Sequence, residues 1–289
     1  MSAGKVLKEL IKREGYVVTA GAYDAWSAKL IELSGFPCII MSGYGVSAST
    51  LGKPDIGLVT LNEMASQLRN IVQAVNIPVI ADGDNGYGGL LNVIRTVELY
   101  EQAGAAAILL EDQVIPKRCG HMEGKEVIPK DEMVSKIKAA KKAKKDPDFM
   151  IIGRTDARGV NGFADALDRA IAYEKAGADI IFVEAPQSVE EMKEIHKYIK
   201  APTLANMVEK GKTPLLSGAD LAQIGFKIII YPVSSLYCAT KAILDMLNII
   251  KEKDTTKYDL DKMIPFDTFN EMISLDEFRR LEKSLIKKL

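Results

Sequence analysis

The sequence predicts an α/β protein of the (β/α)8 barrel (TIM-type) class, and three observations support this prediction. Short apolar runs alternate with helix-like stretches along most of the chain. Eight such runs are present, each rich in Ile, Val, Leu or Ala, as expected of parallel strands that are buried on both faces. The first run leads into Ala22–Ala25 rather than a Gly-rich phosphate loop, which disfavours an open dinucleotide-binding sheet.

The predicted elements follow one another in a regular order. The strands are too short to be helices, and they are Val17–Gly21, Cys38–Met41, Pro78–Ala81, Ala106–Leu110, Met150–Gly153, Ile180–Val183, Thr203–Ala205 and Ile228–Tyr231. The main helical stretches are Asn62–Val75, Leu91–Ala103, Lys130–Lys145, Phe163–Ala176, Val189–Ile199 and Ser217–Gly225. Gly104, Gly177 and Gly225 end three of these stretches, as C-cap glycines do.

The chain is expected to form one domain, because no linker rich in Pro, Gly or Ser divides it. We assign residues 1–289 to a single barrel domain, of which roughly 240–289 is a C-terminal helical extension. Leu275, Phe278, Leu281 and Leu285 recur at helical spacing, which predicts a helix with one apolar face.

Composition excludes several classes of function. A formal net charge of −1 gives no electrostatic reason to expect nucleic acid or an anionic membrane as a partner. The Lys-rich stretch Lys136–Lys145 is interpreted as the solvent-exposed face of a helix. No apolar segment has the length of a membrane span, and three widely spaced cysteines favour a reducing compartment. We therefore expect a cytoplasmic protein.

The remaining histidine and cysteines receive simpler interpretations. Cys38 and Cys238 fall in apolar runs and are expected to be core residues, while His196 lies in a charged helix and is expected at the surface.

The polar residues directly after the strands are the main functional signal, because barrel enzymes build their sites at the C-terminal ends of the strands. A simpler explanation is that strand ends meet water, which accounts for some of them but less well for the many carboxylates. In order they are Tyr23 and Asp24; Ser42, Gly43 and Tyr44; Asp82 and Asp84; Glu111 and Asp112; Arg154 and Asp156; Glu184; Asn206; and Ser234 and Ser235.

Asp82-Gly83-Asp84 is a candidate metal site. Hard divalent cations such as Mg²⁺ prefer oxygen ligands, and Glu111 at the end of the next strand adds a further carboxylate. A simple Asp/Gly turn is the alternative. No nearby His/Cys set suggests zinc.

Two further features suggest that a carboxylate is bound. The stretch Ser42–Ser47 is expected to form a flexible turn whose N–H groups hold a substrate carboxylate. Arg154, at a buried strand end, needs an anionic partner. That partner is either a substrate carboxylate or an internal one, Glu184 or Glu111.

The run Glu111–His121 concentrates reactive groups in one predicted loop after a strand. Cys119 lies close in sequence to Lys117, Arg118 and His121, and cationic surroundings lower the pKa of a thiol. His121 is either a proton carrier or a residue that orients the loop, and we favour the second.

With these motifs together, the chain resembles the isocitrate lyase/phosphoenolpyruvate mutase superfamily from Gly21 to its C-terminal helices. The most specific marker is Lys117-Arg118-Cys119-Gly120-His121, which is similar to the signature of the lyase branch. Asp82-Gly83-Asp84, Gly153-Arg154-Thr155-Asp156, Glu184-Ala185 and Leu204-Ala205-Asn206 occur in the family's order.

The resemblance implies a Mg²⁺-dependent barrel, with Mn²⁺ as an alternative cofactor. Asp82 and Asp84 would hold the metal mostly through water, with Asp55 and Glu111 nearby, and Cys119 would be the general acid/base. The family also exchanges its last helices between subunits, usually in a homotetramer built as a dimer of dimers. The residues expected to bind substrate are Tyr23, Ser42, Gly43, Tyr44, Lys117, Gly120, His121, Arg154, Glu184 and Asn206.

The implied reaction is cleavage of the C2–C3 bond of a 2-hydroxy di- or tricarboxylate, with Cys119 protonating the resulting enediolate. Methylisocitrate lyases usually carry Arg-Pro after the CGH triplet, where this chain has Met122-Glu123. Two arginines expected later are replaced by Tyr237 and Phe269. A smaller substrate such as 2,3-dimethylmalate, cleaved to pyruvate and propionate, is therefore favoured over 2-methylisocitrate.

Two rival functions are weaker. An oxaloacetate decarboxylase or phosphonopyruvate-type enzyme on the same scaffold is disfavoured by Cys119. A catalytically silent binding protein is disfavoured because the acid, arginine and metal ligands are all present.

Overall fold

The computed structural model describes residues 1–286 and divides into two compact units, Met1–Leu236 and Tyr237 onward. The first unit contains eight strands: β1 (Val17–Ala22), β2 (Ile39–Met41), β3 (Val79–Asp82), β4 (Ala107–Glu111), β5 (Met150–Thr155), β6 (Ile180–Val183), β7 (Leu204–Asn206) and β8 (Ile228–Tyr231). Its helices are α1 (Ala3–Lys12), α2 (Ala25–Leu33), α3 (Gly43–Leu51), α4 (Leu61–Ala74), α5 (Leu90–Ala103), α6 (Lys130–Ala143), α7 (Phe163–Ala176), α8 (Val189–Tyr198) and α9 (Gly218–Ile224). A 3-10 turn, Ala157–Gly159, follows β5.

All eight strands are parallel, and each is paired with its neighbours in the chain except at β6 and β7, while β1 also pairs with β8. An isolated bridge between Ile181 and Thr203 joins β6 to β7 and nearly completes the ring. The predicted (β/α)8 barrel is therefore confirmed.

The barrel has two apolar layers. The larger one lies between the strands and the surrounding helices and contains fully buried residues such as Leu68, Tyr100 and Tyr173. The smaller one includes Ile80 and Phe182 from the strands, together with Leu7 and Ile11 of α1. The strands thus have apolar residues on both faces, as their composition predicts.

Three helices were not among those expected from the sequence. Helix α1 has an apolar stripe at i, i+4 spacing, Leu7 and Ile11, which packs in the smaller layer. Helix α2 begins with a capping box in which Asp24 and Ser27 bond each other's backbone. Helix α3 occupies the stretch expected to be a flexible turn, so that prediction was wrong, and Ser42 is its N-cap.

The stretch expected to be the exposed face of α6 contains one buried lysine. Lys136 is buried and its Nζ donates a hydrogen bond to the carbonyl oxygen of Asn85 at 3.0 Å. Burial lowers the pKa of Lys136. The interpretation of this stretch as uniformly solvated was therefore wrong at Lys136.

The structure also changes the interpretation of two other residues. His196 is half-buried, and its ring meets the Phe226 ring edge-on with centroids 4.6 Å apart. Cys38 is buried as expected, whereas Cys238 is exposed. Cys238 lies on α10 (Ser234–Lys253), whose described residues include none that are buried.

The second unit continues α10 and adds α11 (Phe266–Met272) and α12 (Leu275–Ile286). The predicted apolar residues of α12 are present on it, and Phe278, Leu281 and Leu285 are all more than half exposed. Among residues 1–286, no helix combines the length and apolar composition that a membrane span needs.

Candidate active site

The candidate active site lies where the parallel strands of the barrel end. Asp82, Glu111 and Asn206 are the last residues of β3, β4 and β7, and Glu184 follows β6 directly. Parallel strands in a barrel end on the same side, so the sequence spacing places these side chains around one mouth. The strands that carry these side chains are hydrogen-bonded to a neighbouring strand on both sides, except between β6 and β7, where there is one isolated bridge.

The centre of the acidic cluster is the ammonium group of Lys117. Its Nζ lies 2.6 Å from Asp55 Oδ1 and 2.7 Å from Asp84 Oδ1, and all three side chains are at least nine-tenths buried. Asp82 accepts hydrogen bonds from the backbone N–H groups of Asp84 at 3.0 Å and Gly43 at 3.2 Å. Burial raises the pKa of Asp84 to about 6, although Lys117 opposes that rise.

Glu111 is a buried carboxylate that has few partners to stabilise its negative charge. Its Oε2 lies 3.4 Å from Arg154 Nε, while its Oε1 accepts no hydrogen bond from any described residue. Burial raises the pKa of Glu111 well above the usual range, and the nearby charge of Arg154 does not offset this. A further cation beside Glu111 would therefore favour the charged form of this carboxylate.

The donor set of the cluster fits a hard divalent cation. Four carboxylates converge there, and Lys117 supplies a single positive charge between two of them. One oxygen of Glu111 has no hydrogen-bond partner among residues 1–286. Among residues 1–286, no group of three or more His, Cys, Asp or Glu side chains is close enough to hold a metal ion directly. This arrangement suits Mg²⁺, which usually keeps several waters and binds proteins through one or two carboxylates.

Arg154 takes part in a buried network of three carboxylates. It donates to both oxygens of Asp156, from Nε at 2.8 Å and from Nη2 at 3.1 Å. Its Nη2 also lies 3.2 Å from Glu184 Oε2, and its guanidinium lies over the Phe182 ring. The internal ion pair raised as an alternative is therefore present, with Asp156 as its main member. A role in binding substrate stays a prediction.

Helix α3 presents the N–H groups that were expected from a turn. Ser42 caps this helix by accepting a hydrogen bond from Gly45 N, and Gly43 N points at Asp82. The N-terminus of a helix attracts anions because its first N–H groups have no partner within the helix. Tyr44 in the first turn of α3 and Tyr23 after β1 are both half-buried. Binding of a carboxylate here stays a prediction.

The Cys119 loop extends from Gln113 to Val127, and its two ends are joined by an antiparallel bridge between those residues. The side chain of Gln113 fixes Arg118, because Nε2 donates to the Arg118 carbonyl and Oε1 accepts from Arg118 N. Cys119 N donates to the carbonyl of Asp55 at 3.2 Å. The loop therefore brings Cys119 to the acidic cluster.

The pKa of the Cys119 thiol is raised to about 11, mainly by burial and also by the charges of Asp55 and Glu184. The expectation that neighbouring cations lower this pKa was wrong. The charge of Lys117 is paired with Asp55 and Asp84, and the exposed Arg118 bonds the Glu123 carbonyl instead. At neutral pH the group is a protonated thiol, which suits a proton donor better than a nucleophile.

His121 connects the loop to the far side of the mouth. Its Nε2 lies 3.3 Å from Glu184 Oε1, and its Nδ1 accepts a hydrogen bond from Lys212 N. Asn206 Nδ2 donates to Glu184 Oε2 at 3.2 Å. Burial by itself would raise the pKa of Glu184, but Arg154 and His121 hold it below the usual range. These contacts are consistent with His121 as a residue that orients the loop.

Two residues that support the site were given no particular role from the sequence. Asp112 accepts from Thr155 Oγ1, Asp156 N and Tyr173 OH, and so joins the ends of β4 and β5 to α7. Lys125 is a buried lysine whose Nζ lies 2.8 Å from Asp156 Oδ1. Asp112 was visible as a second carboxylate after Glu111, whereas nothing local distinguishes Lys125 from the surface lysines.

Comparison with protein families and curated proteins gives a consistent result. Residues 7–251 match the family model described as phosphoenolpyruvate phosphomutase. The chain is 51% identical to a 2,3-dimethylmalate lyase from Eubacterium barkeri over 98% of both chains. It is 45% identical to a 2-methylisocitrate lyase from Aeropyrum pernix, over 99% of this chain and 92% of that one.

Solved structures agree with these matches. A 2,3-dimethylmalate lyase described as a superfamily member of the PEP mutase/isocitrate lyase type superposes with a TM-score of 0.92. That match has 35% identity and covers 99% of this chain and 96% of the other. A phosphonopyruvate hydrolase in complex with oxalate and Mg++ superposes with a TM-score of 0.88 at 29% identity, over 98% and 99% of the two chains.

Proposed function

The chain belongs to the phosphoenolpyruvate mutase/isocitrate lyase superfamily, and from this premise we propose that it is a Mg²⁺-dependent carbon–carbon lyase acting on a 2-alkylmalate. The favoured substrate is 2,3-dimethylmalate, cleaved to pyruvate and propionate. The observation that carries the proposal is Cys119, a half-buried residue whose thiol pKa is raised to about 11 beside the acidic cluster. A mutase that moves a phosphoryl group between carbon and oxygen needs no proton at carbon, so this thiol favours a reaction that releases a protonated carbon acid.

Magnesium would be held by Asp82 and Asp84, mostly through water, with Asp55 and Glu111 nearby. When bound, it would lower the pKa of the substrate's hydroxyl and polarise the adjacent carboxylate. Manganese is an alternative because it accepts the same oxygen ligands. The surplus of buried carboxylates at this position supports the assignment.

The residues of the chain would divide the remaining work between binding and proton transfer. The α3 N-terminus at Ser42, Gly43 and Tyr44, with Arg154, would orient the carboxylate next to the hydroxyl-bearing carbon C2. A carboxylate of the acidic cluster would take the hydroxyl proton, the C2 carbonyl of pyruvate would form, and the electron pair of the breaking C2–C3 bond would pass to C3. The thiol of Cys119 would then deliver its proton to C3, which completes propionate.

The pairing of charges at the mouth supports a substrate with two carboxylates rather than three. Lys117, Lys125 and Arg154 each already contact at least one carboxylate of the protein. A third substrate carboxylate would therefore compete with internal ion pairs for these cations. The absence of arginine at Tyr237 and Phe269 agrees with this view.

The decisive assay measures Mg²⁺-dependent pyruvate release from 2,3-dimethylmalate, 2-methylisocitrate and oxaloacetate. We expect the first to have the highest kcat/KM, and Cys119→Ala to lose about 10²- to 10⁴-fold in kcat, as for removal of a general acid. A higher kcat/KM with 2-methylisocitrate than with 2,3-dimethylmalate would make 2-methylisocitrate the assigned substrate. Full activity in Cys119→Ala, or no pyruvate from any substrate, would refute the lyase assignment.

We also propose a cytoplasmic homotetramer, built as a dimer of dimers through the last helices. The three cysteines are unpaired, which is consistent with a reducing compartment. Phe278, Leu281 and Leu285 expose a continuous apolar face on α12, as helices that dock on a second copy do. Light scattering on the eluting protein measures the mass, and a monomer at micromolar concentration would contradict the proposal.

A further inference from the structure

Lys125 is a buried lysine that joins the Cys119 loop to the floor of the site. Its side chain is 3% exposed, and its partner Asp156 is fully buried. The Nζ group donates one hydrogen bond to the carbonyl oxygen of Gly120 and another to Asp156 Oδ1. A Cβ atom placed on Gly159 would lie 3.4 Å from Nζ, so the 3-10 turn after β5 passes beside the ammonium group.

The two partners of Lys125 belong to different parts of the site. Gly120 is adjacent to Cys119 in the loop, and Asp156 is the residue that binds Arg154 through both carboxylate oxygens. Burying an ammonium group is unfavourable unless good hydrogen bonds compensate for the lost water. The ammonium position is therefore determined by these two partners together, and the loop is held relative to Arg154.

Lys125 differs from the other loop contacts in what it binds. Lys117 and His121 contact Asp84 and Glu184, which are themselves expected to interact with metal or substrate. The Lys125 contacts involve a backbone carbonyl and a carboxylate that already serves Arg154. These contacts can persist while the site binds and releases its ligands.

We infer that Lys125 is a positioning residue that holds Cys119 over the mouth of the barrel. The lysine lies just before Val127, whose bridge to Gln113 joins the ends of the loop, so it acts from the fixed base of that loop. The inference rests on the proposed function only for the use of Cys119 as proton donor. The position of the loop itself can be tested without substrate.

The test compares how fast iodoacetamide labels Cys119 in folded variants, measured by mass spectrometry of the peptide that contains it. Lys125→Met keeps the apolar stem and removes both hydrogen bonds, and Lys125→Gln is a second variant in case methionine destabilises the fold. Lys130→Met is the matched control, because the Lys130–Asp168 ion pair is exposed. Lys125→Arg retains the charge.

We expect labelling of Cys119 to be about 10- to 100-fold faster in the two neutral variants, as expected when charge-assisted hydrogen bonds are lost. Lys130→Met should match the wild type, and Lys125→Arg should recover part of the protection. A purely structural role would lower the Tm of the Lys125 variants and leave the labelling of the folded protein unchanged. Labelling at the wild-type rate in folded Lys125→Met or Lys125→Gln would overturn the inference.

The result is independent of the lyase assay, because labelling requires neither substrate nor metal. If the lyase assignment holds, kcat for pyruvate release should fall in the neutral variants by a factor similar to the gain in labelling. Faster labelling without any lyase activity in the wild type would leave Lys125 as a loop-positioning residue and refute only the proposed reaction.

Discussion

Replacing Gly120 by alanine should separate catalysis from folding. A Cβ atom at this position would lie 2.4 Å from Arg154 Nη2 and 2.7 Å from Glu184 Cδ, whereas ordinary contacts are 3.4–4 Å. Neither neighbour can move easily, because Arg154 is fixed by Asp156 and Glu184 is bonded by Asn206. The overlap must therefore be relieved by displacement of the loop that carries Cys119.

The size of the effect follows from the cost of overpacking, which is about 1–3 kcal/mol for an added methyl group in a tightly packed place. If this cost disfavours the observed loop position, kcat/KM should fall by about 5- to 150-fold. The barrel itself is not strained once the loop has moved. We therefore expect the Tm to change by no more than about 2–4 °C, the shift that 1 kcal/mol produces in a domain of this size.

The assay is pyruvate release from 2,3-dimethylmalate with Mg²⁺, together with thermal unfolding followed by circular dichroism. Gly89→Ala is the matched control, since a Cβ there meets nothing within 4 Å. Unchanged kcat/KM in Gly120→Ala would show that the observed loop position is not the catalytic one. A large loss of Tm with kcat/KM preserved would show that the barrel, and not the loop, absorbs the overlap.

Three further predictions concern protonation and stability. Because the pKa of Cys119 is raised to about 11, its rate of alkylation should keep rising with pH up to that value, as followed by peptide mass spectrometry. Tyr173→Phe removes the 2.6 Å hydrogen bond to Asp112 and should lower the free energy of unfolding in urea by about 1.5–3 kcal/mol. Burial lowers the pKa of His196 below its usual 6.5, so its contribution to stability is complete above that pH and is lost as pH falls through the lower folded-state value. His196→Phe should therefore lose less stability than the wild type between pH 6.5 and pH 5 in urea unfolding.

Each of these predictions has its own control and contrary result. An alkylation rate that levels off near pH 9 would show that the thiol is not buried among carboxylates. Tyr198→Phe changes an exposed tyrosine and should leave stability unchanged, so an equal loss in both tyrosine variants would argue against the Asp112 contact. Equal pH dependence in His196→Phe and wild type would assign the acid sensitivity to other groups.

The barrel could be predicted from the sequence because its strands are buried on both faces. Such strands occur in the sequence as continuous apolar runs. Ile180–Val183 and Ile228–Tyr231 have the predicted boundaries, and Asp82 and Glu111 complete β3 and β4. Helix α3 could not be predicted in this way, since Gly43 and Gly45 are poor helix formers. It forms because Ser42 caps it and Val46 is completely buried against the barrel.

Much of the site was predictable as a set of strand-end residues, but its electrostatics were not. The pKa of Cys119 depends on which carboxylates the neighbouring cations meet, and Asp55 lies far from Lys117 in the chain. The same applies to Lys125, whose partner Asp156 is 31 residues away. The sequence shows which charged groups lie near Cys119 along the chain. Which of them form ion pairs depends on residues that only folding brings close.

The junction between β6 and β7 is joined by a single backbone bridge and by a side-chain contact at the mouth. Every other pair of neighbouring strands is joined by a ladder of at least three residue pairs, so this junction has the fewest paired residues in the described ring. Glu184 and Asn206 lie on its two sides and are joined by a 3.2 Å hydrogen bond. The hydrogen bond between Glu184 and Asn206 therefore joins, through side chains, the one junction of the described ring that has no backbone ladder.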